Sequence, residues 1–122
     1  MKILELQHHL DERGGLVVIE SDVGFKIERV YFIHDAEGRR GEHAHHKTTQ
    51  ALVAVAGACK VSVWNGVTFD EVALDSRSKC LILDPHDYHY MEGFSCGCVL
   101  LVMASEPYDP ADYIGNKEFF NE

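Results

Sequence analysis

The stretch QALVAVAGACKVSVWNGVTFDEVAL, residues 50–74, is built of short β-prone pieces broken at Gly57 and at Asn65-Gly66. Residues 60–64 and 67–72 flank Asn65-Gly66, and both turn positions suit the positive φ angles of a tight type I′ turn, so the pattern predicts an antiparallel hairpin. Residues 51–56 are small and apolar on both faces, which predicts a strand covered on both sides. The two-residue period continues outward through residues 29–34, 80–83 and 98–103. Many short strands at short intervals imply an all-β fold closing as a small barrel or jelly roll. A helical signal is missing until the acidic tail after Pro110, where residues 112–119 read as one short C-terminal helix.

The chain has 122 residues, a formal charge of −9, 46% hydrophobic and 25% charged residues, and only three prolines. That composition fits one ordinary globular domain, residues 1–122, able to bury roughly two-thirds of its unfolded surface. The acidic balance, with no compensating basic cluster, argues against nucleic acid or an anionic membrane surface as partner. The apolar runs 51–56 and 99–104 fall far short of the roughly 20 residues of a membrane span. The opening MKILELQHHLDERGG carries acids and histidines where a secretory signal needs an apolar core, so a cytoplasmic location is expected. In such a compartment the four cysteines (Cys59, Cys80, Cys96, Cys98) are expected to be reduced core thiols, and Cys96-x-Cys98 is one residue short of a zinc knuckle.

Five of the eight histidines fall in two short segments, His43, His45 and His46 in RRGEHAHH and His86 and His89 in DPHDYHYM. On a strand His43 and His45 share a face, about 6.6 Å apart along the chain, while His46 faces away. Three readings of the pair stand. The rings face solvent or are satisfied by ordinary hydrogen bonds. Alternatively, His43, His45 and His89 supply nitrogen donors to a metal such as Zn²⁺, Ni²⁺ or Fe²⁺, although a fourth donor would be the weak amide of Gln50. Or they run acid–base chemistry, since imidazole titrates nearest neutral pH and two on one face can move a proton between adjacent carbons.

Arg39 and Arg40 precede this segment on a loop flanked by Gly38 and Gly41, and a guanidinium fork suits a phosphate or an enolate oxygen as well as it suits a surface acid. Tyr31 shares a strand face with Arg29 and Ile33, where it is either half-buried core or a hydroxyl donor to a sugar oxygen. Trp64, Tyr88 and Tyr90 are packing or base-stacking surfaces. P-loop, dinucleotide-binding and serine-hydrolase glycine motifs do not occur in the sequence.

Several pieces occur together in order: Asp11-x-Arg13-Gly14-x-Leu16, Arg29-Val30-Tyr31-x-Ile33, Arg40-Gly41-x-His43-Ala44-His45, Gln50, the Asn-Gly hairpin, His89-x-Met91 with Phe94-Ser95, and Ala104-Ser105 to Tyr108-Asp109-x-x-Asp112-Tyr113-Ile114. With them the chain resembles the cupin family of dTDP-sugar 3,4-ketoisomerases, also described as the WxcM-like C-terminal domain. The resemblance implies a cupin-like jelly-roll barrel, a homodimer with exchanged N-terminal strands, and isomerisation of dTDP-4-oxo-6-deoxy-glucose to its 3-oxo isomer with no cofactor and no metal. It further implies that His43, His45, Arg40 and Tyr31 line the active site. Where relatives commonly read Trp-His-x-Met, this chain has Tyr88-His89-Tyr90-Met91.

On that basis His45 is expected as the base at carbon 3, with His43 its relay partner or the donor to carbon 4. Tyr31 and Arg40 would hold the sugar oxygens or pyrophosphate, and Arg29, Arg39, Gln50, Trp64, Tyr88 and His89 would contribute to substrate binding. An amide at Gln50 discourages metal capture and withholds a charge that would raise the imidazole pKa values. A metal-dependent cupin, a non-catalytic nucleotide-sugar-binding cupin and a 3,5-epimerase remain as alternatives, because a shared fold does not fix the chemistry.

Overall fold

The computed structural model describes residues 1–120 and is almost entirely antiparallel β structure. In chain order the strands are β1 (Lys2–Glu5), β2 (Gln7–Asp11), β3 (Gly14–Val18), β4 (Arg29–His34), β5 (Arg40–His45), β6 (Gln50–Ala56), β7 (Cys59–Trp64), β8 (Phe69–Leu74), β9 (Lys79–Leu83), β10 (Tyr88–Glu92), β11 (Val99–Ala104) and β12 (Tyr113–Gly115). Single 3-10 turns occupy Ser21–Val23 and Pro110–Asp112, and α1 covers Asn116–Phe120. One five-stranded sheet runs β1-β9-β6-β11-β4 and the other β12-β5-β10-β7-β8, while β2 and β3 form a separate hairpin. Among the described residues no helix is long and apolar enough to cross a membrane.

The alternation of side chains explains how the two sheets pack. Leu52, Ala54, Leu81, Leu83, Leu100 and Val102 from the first sheet meet Val61, Val63, Val72, Leu74 and Met91 from the second in one buried cluster. The opposite face of β6 carries Ala51 and Val53, which pack with Ile82, Met103, Leu6 and Val23 in a second cluster. The two-faced burial expected of residues 51–56 therefore holds over Ala51 to Ala54, where the N-terminal segment covers the outer face, and lapses at Val55, which is exposed. A third cluster of Ala44, Tyr88 and Ile114 lies on the outside of the second sheet.

Three local expectations are corrected. The Asn-Gly hairpin exists, but Trp64 pairs with Phe69, so the connection is four residues long and β8 starts later than residue 67. Only Gly66 has positive φ there (97°); Asn65 instead accepts hydrogen bonds on its side-chain oxygen from the Val67 and Thr68 backbone N–H groups, each 2.8 Å. That side-chain turn replaces the type I′ backbone turn. The helix expected over residues 112–119 is confined to Asn116–Phe120, because Tyr113, Ile114 and Gly115 are drawn into β12 against the edge of β5, opposite His45, Ala44 and His43. Finally, Cys59, Cys80 and Cys98 are buried free thiols, but Cys96 sits exposed in the connection between β10 and β11.

Candidate active site

β5 brings the site together through a break in its own register. His43 lies opposite His89 of β10, yet the next pairs are Gly41 with Tyr90 and Arg40 with Met91, so Glu42 is an inserted residue. Gly41 and Glu42 both take positive φ, 97° and 64°, the signature of a β-bulge. Arg40 is three residues from His43 and would face the other side of an uninterrupted strand. The bulge reverses that parity and turns Arg40 inward, so Arg40 belongs to β5 rather than to a free loop. A Cβ on Gly41 would stand 3.2 Å from both the His89 carbonyl oxygen and the Tyr90 Cα, so this close approach requires glycine.

Behind the bulge three imidazoles cluster. The ring centroids of His43 lie 5.1 Å from His45 and 5.0 Å from His89, and those of His45 and His89 are 6.2 Å apart. Each ring is oriented from its Nδ1 side: His43 Nδ1–H donates to the Gly41 carbonyl at 3.2 Å, His89 Nδ1–H to the Asp87 carbonyl at 3.1 Å, and His45 Nδ1–H to the Asp112 carboxylate at 3.1 Å. All three Nε2 atoms are thereby left with a lone pair. Burial and the neighbouring His45 push His43 down to about 4, and burial with His43 pushes His89 down to about 3. Burial also lowers His45, although the Asp112 carboxylate works against it. The cluster is neutral at pH 7.

His43 and His89 border a cavity of about 350 Å³ whose walls also include Tyr31, His34, Arg40, Gln50 and Met91. Gln50 donates its amide N–H to the Tyr31 hydroxyl oxygen at 3.2 Å, which leaves the Tyr31 O–H free to donate into the cavity. Burial raises the Tyr31 pKa, so the phenol stays protonated. Among the described residues, Gln50 Oε1, His45 Nε2 and Arg29 Nε are buried polar atoms with no hydrogen-bond partner. Orphans of this kind are rare in folded proteins, and of these three residues Gln50 lines the cavity, where a ligand would complete its bonding.

The expected site residues separate into two groups. Tyr31, Arg40, His43, Gln50 and His89 share the cavity wall, while His45 is fully enclosed behind it. Arg29 lies on the Tyr31 face of β4, its guanidinium carbon 5.2 Å from the Tyr31 ring centroid and 5.5 Å from that of Tyr108. Arg39, Trp64 and Tyr88 are elsewhere. Arg39 lies 3.9 Å over the Tyr90 ring and bonds Glu92 at 3.2 Å on the outside of the second sheet. Tyr88 donates its hydroxyl to Asn116 at 2.7 Å and packs with Trp64 and Phe119 on that same outer face. Each directly precedes or alternates with an inward residue (Arg40, Val63, His89), and strand parity sends it outward. Among the described residues no group of three His, Cys, Asp or Glu side chains is arranged to hold a metal ion.

The family model described as WxcM-like, C-terminal (FdtA) matches residues 1–122. The chain belongs to this family. It is 40% identical to the TDP-4-oxo-6-deoxy-alpha-D-glucose-3,4-oxoisomerase of Aneurinibacillus thermoaerophilus, over 99% of this chain and 90% of that one. Among solved structures, the TDP-quinovose 3,4-ketoisomerase WlaRB of Campylobacter jejuni superposes with a TM-score of 0.92 at 36% identity, covering 99% of this chain and 97% of the other. A mutant of the 3,4-ketoisomerase QdtA from Thermoanaerobacterium thermosaccharolyticum, solved in complex with TDP-4-keto-6-deoxyglucose, gives 0.91 at 33% identity, covering 99% and 96%. The cupin-like all-β class expected of the sequence agrees with these neighbours.

Two residues of this WxcM-like site escaped sequence reading as site residues. Asp112 reaches His45 from 67 positions away, and Tyr113 packs its ring 4.9 Å from His43 and 4.5 Å from His45. Both sit in the tail motif that carried the family resemblance, which was the available signal. No local period points from that tail to β5.

Proposed function

We infer that this chain is a nucleotide-sugar 3,4-ketoisomerase acting on a dTDP-linked 4-oxo-6-deoxy sugar. The observation that carries the reading is the convergence of a neutral imidazole (His43), a protonated phenol (Tyr31) and a guanidinium (Arg40) on one cavity wall, in a chain whose relatives bear that activity. A ketone at carbon 4 acidifies the C–H at carbon 3. His43 Nε2 takes that proton, the C–H electrons form the carbon 3–carbon 4 double bond, and the carbon-4 oxygen accepts a proton to give an enediol. The carbon-3 hydroxyl then returns a proton to the group that protonated the carbon-4 oxygen as its own C=O forms, the double-bond electrons take up at carbon 4 the proton held by the histidine cluster, and every group regains its starting state.

His43 takes the role of base because it reaches the cavity wall and His45 does not, the reverse of the division expected from the sequence. Tyr31 donates its O–H to the developing oxyanion, and Arg40 supplies positive charge to a sugar oxygen or the pyrophosphate. Gln50 and His89 complete the sugar-facing wall, with Arg29 beside Tyr31. This chemistry calls only on side chains, with no cofactor.

Proton NMR of dTDP-4-oxo-6-deoxy-glucose incubated with the protein in heavy water tests the reading. Deuterium at carbon 4 of a 3-oxo product is expected; unchanged sugar refutes it. Metal analysis of protein purified without chelator separates off the metal-dependent alternative, which requires stoichiometric metal on His43, His45 and His89.

We further propose that residues 1–122 act as one domain within a homodimer that exchanges N-terminal strands. Supporting this, the β2–β3 hairpin stands apart from both large sheets, with Leu10 at 73% and Leu16 at 61% exposure, and Phe32 on the edge strand β4 is 61% exposed. A second copy laid over these side chains would remove them from water. Light scattering coupled to gel filtration should give twice the chain mass. A phosphate-bearing substrate does not cross a membrane unaided, which supports a cytoplasmic reaction.

A further inference from the structure

Asp112 does not line the cavity, yet its carboxylate accepts three hydrogen bonds. Oδ1 accepts the Lys47 backbone N–H at 2.8 Å, and Oδ2 accepts both the Thr48 hydroxyl and His45 Nδ1–H, the latter at 3.1 Å. Asp112 and His45 are 5% and 3% exposed, so water contributes little to either. The backbone of Asp112 is fixed as well. It closes the 3-10 turn Pro110–Asp112, its N–H donates to Asp109 at 3.0 Å, and its carbonyl accepts the His46 N–H at 2.8 Å. The group that holds His45 is therefore itself held on all sides, as accurate ring placement requires.

A carboxylate only accepts hydrogen bonds, so the ring nitrogen facing it must carry the hydrogen and the other nitrogen must be bare. That other atom, His45 Nε2, is buried and has no partner among the described residues. We propose that Asp112 is a positioning residue that locks His45 as the Nδ1–H tautomer, leaving a bare Nε2 on the ring next to His43. The rate consequence rests on the ketoisomerase reading. Once His43 has taken a proton from carbon onto Nε2, it is an imidazolium with a new N–H. His45, its ring centroid 5.1 Å away, then carries no hydrogen on Nε2, whereas the opposite tautomer would add a second N–H to a cluster that already holds a positive charge. The negative charge behind His45 also offsets the transient positive charge of the cluster.

Asp112→Asn is nearly isosteric and separates this role from simple support of the loop after β5. The amide keeps an oxygen for the Lys47 N–H, but its NH₂ faces His45 and donates to Nδ1, forcing the Nε2–H tautomer. Long-range proton–nitrogen correlation spectra of the full-length protein labelled with ¹⁵N-histidine report the tautomer without substrate. The expected wild-type pattern is Nδ1–H at His45, switching to Nε2–H in Asp112→Asn. Turnover of TDP-4-keto-6-deoxyglucose should fall about 10²-fold in kcat, with KM held within about threefold.

A variant that keeps Nδ1–H, or keeps kcat within about threefold of wild type, overturns the proposal and leaves Asp112 as a loop anchor. If the variant fails to fold, the wild-type spectrum still decides, because an Nε2–H signal from His45 there is incompatible with the lock. An inactive wild type would sink the ketoisomerase reading instead, and the tautomer measurement would continue to judge the placement of Asp112.

Discussion

Acidification should weaken this fold through its inner histidines well before most carboxylates titrate. His43 and His89 are held to about 4 and about 3 in the folded chain, against 6.5 for an unperturbed ring. Between those limits the unfolded chain carries two protons that the folded chain does not, so stability rises with pH in that window and falls on acidification. Two such rings give a maximal slope of about 2.7 kcal/mol per pH unit. With incomplete protonation of the unfolded chain and some solvent around the half-buried His43, the loss from about pH 6 to about pH 5 is about 2 kcal/mol. That is a large share of the ~5–15 kcal/mol that stabilises a typical domain. His45 shifts in the same direction and adds to the effect. Asp112 is held below the usual carboxylate range because its three donors outweigh the cost of burial, so its contribution is lost only at lower pH. Urea unfolding followed by circular dichroism across this range measures the slope. His89→Asn keeps a donor for the Asp87 carbonyl and removes one titrating ring, so its slope should be roughly half that of wild type. A flat stability profile between pH 6 and pH 5, or an undiminished slope in His89→Asn, would refute the neutral-cluster reasoning.

Gly41→Ala places a side chain at φ 97° and 3.2 Å from the β10 backbone; it should cost at least ~1–2 kcal/mol by thermal melting and raise KM as Arg40 is displaced, and wild-type values for both would contradict the bulge argument. Leu100→Ala empties a fully buried site between the sheets and should cost about 2–5 kcal/mol in urea unfolding, with a loss under about 1 kcal/mol counting against close packing there. Iodoacetamide should label the exposed Cys96 in the native protein and spare Cys59 and Cys80, whose thiols burial raises to about 12 and about 11; mass spectrometry of the labelled peptides reads this directly. Gln50→Glu sets a carboxylate on the cavity wall beside Tyr31, which favours the charged imidazole; the acidic limb of the kcat profile should move to higher pH, and an unmoved limb would show that Gln50 is electrically remote from the base.

Parity along a strand is local, and it made a good part of this protein legible from its sequence. The two-faced burial of Ala51 to Ala54, the shared face of His43 and His45, and the inward turn of Tyr31 with Arg29 and Ile33 all follow from a period of two. The same rule, applied to the residues beside the inward ones, would have turned Trp64 and Tyr88 away from the site, whereas Arg39 is sent outward only by the bulge at Glu42. Other features depend on pairings that no local pattern encodes. Only the register of β5 against β10 shows that Glu42 is an extra residue and that Arg40 faces inward with His43. Only the docking of β12 on β5 brings Asp112 to His45 and converts the start of the expected helix into strand. The depth that puts His43 on the cavity wall and His45 behind it likewise belongs to the packed sheets. Spacing along the chain determined which side chains share a face; the long-range ladders, formed between segments far apart in the chain, decided which of those faces meet and in what register.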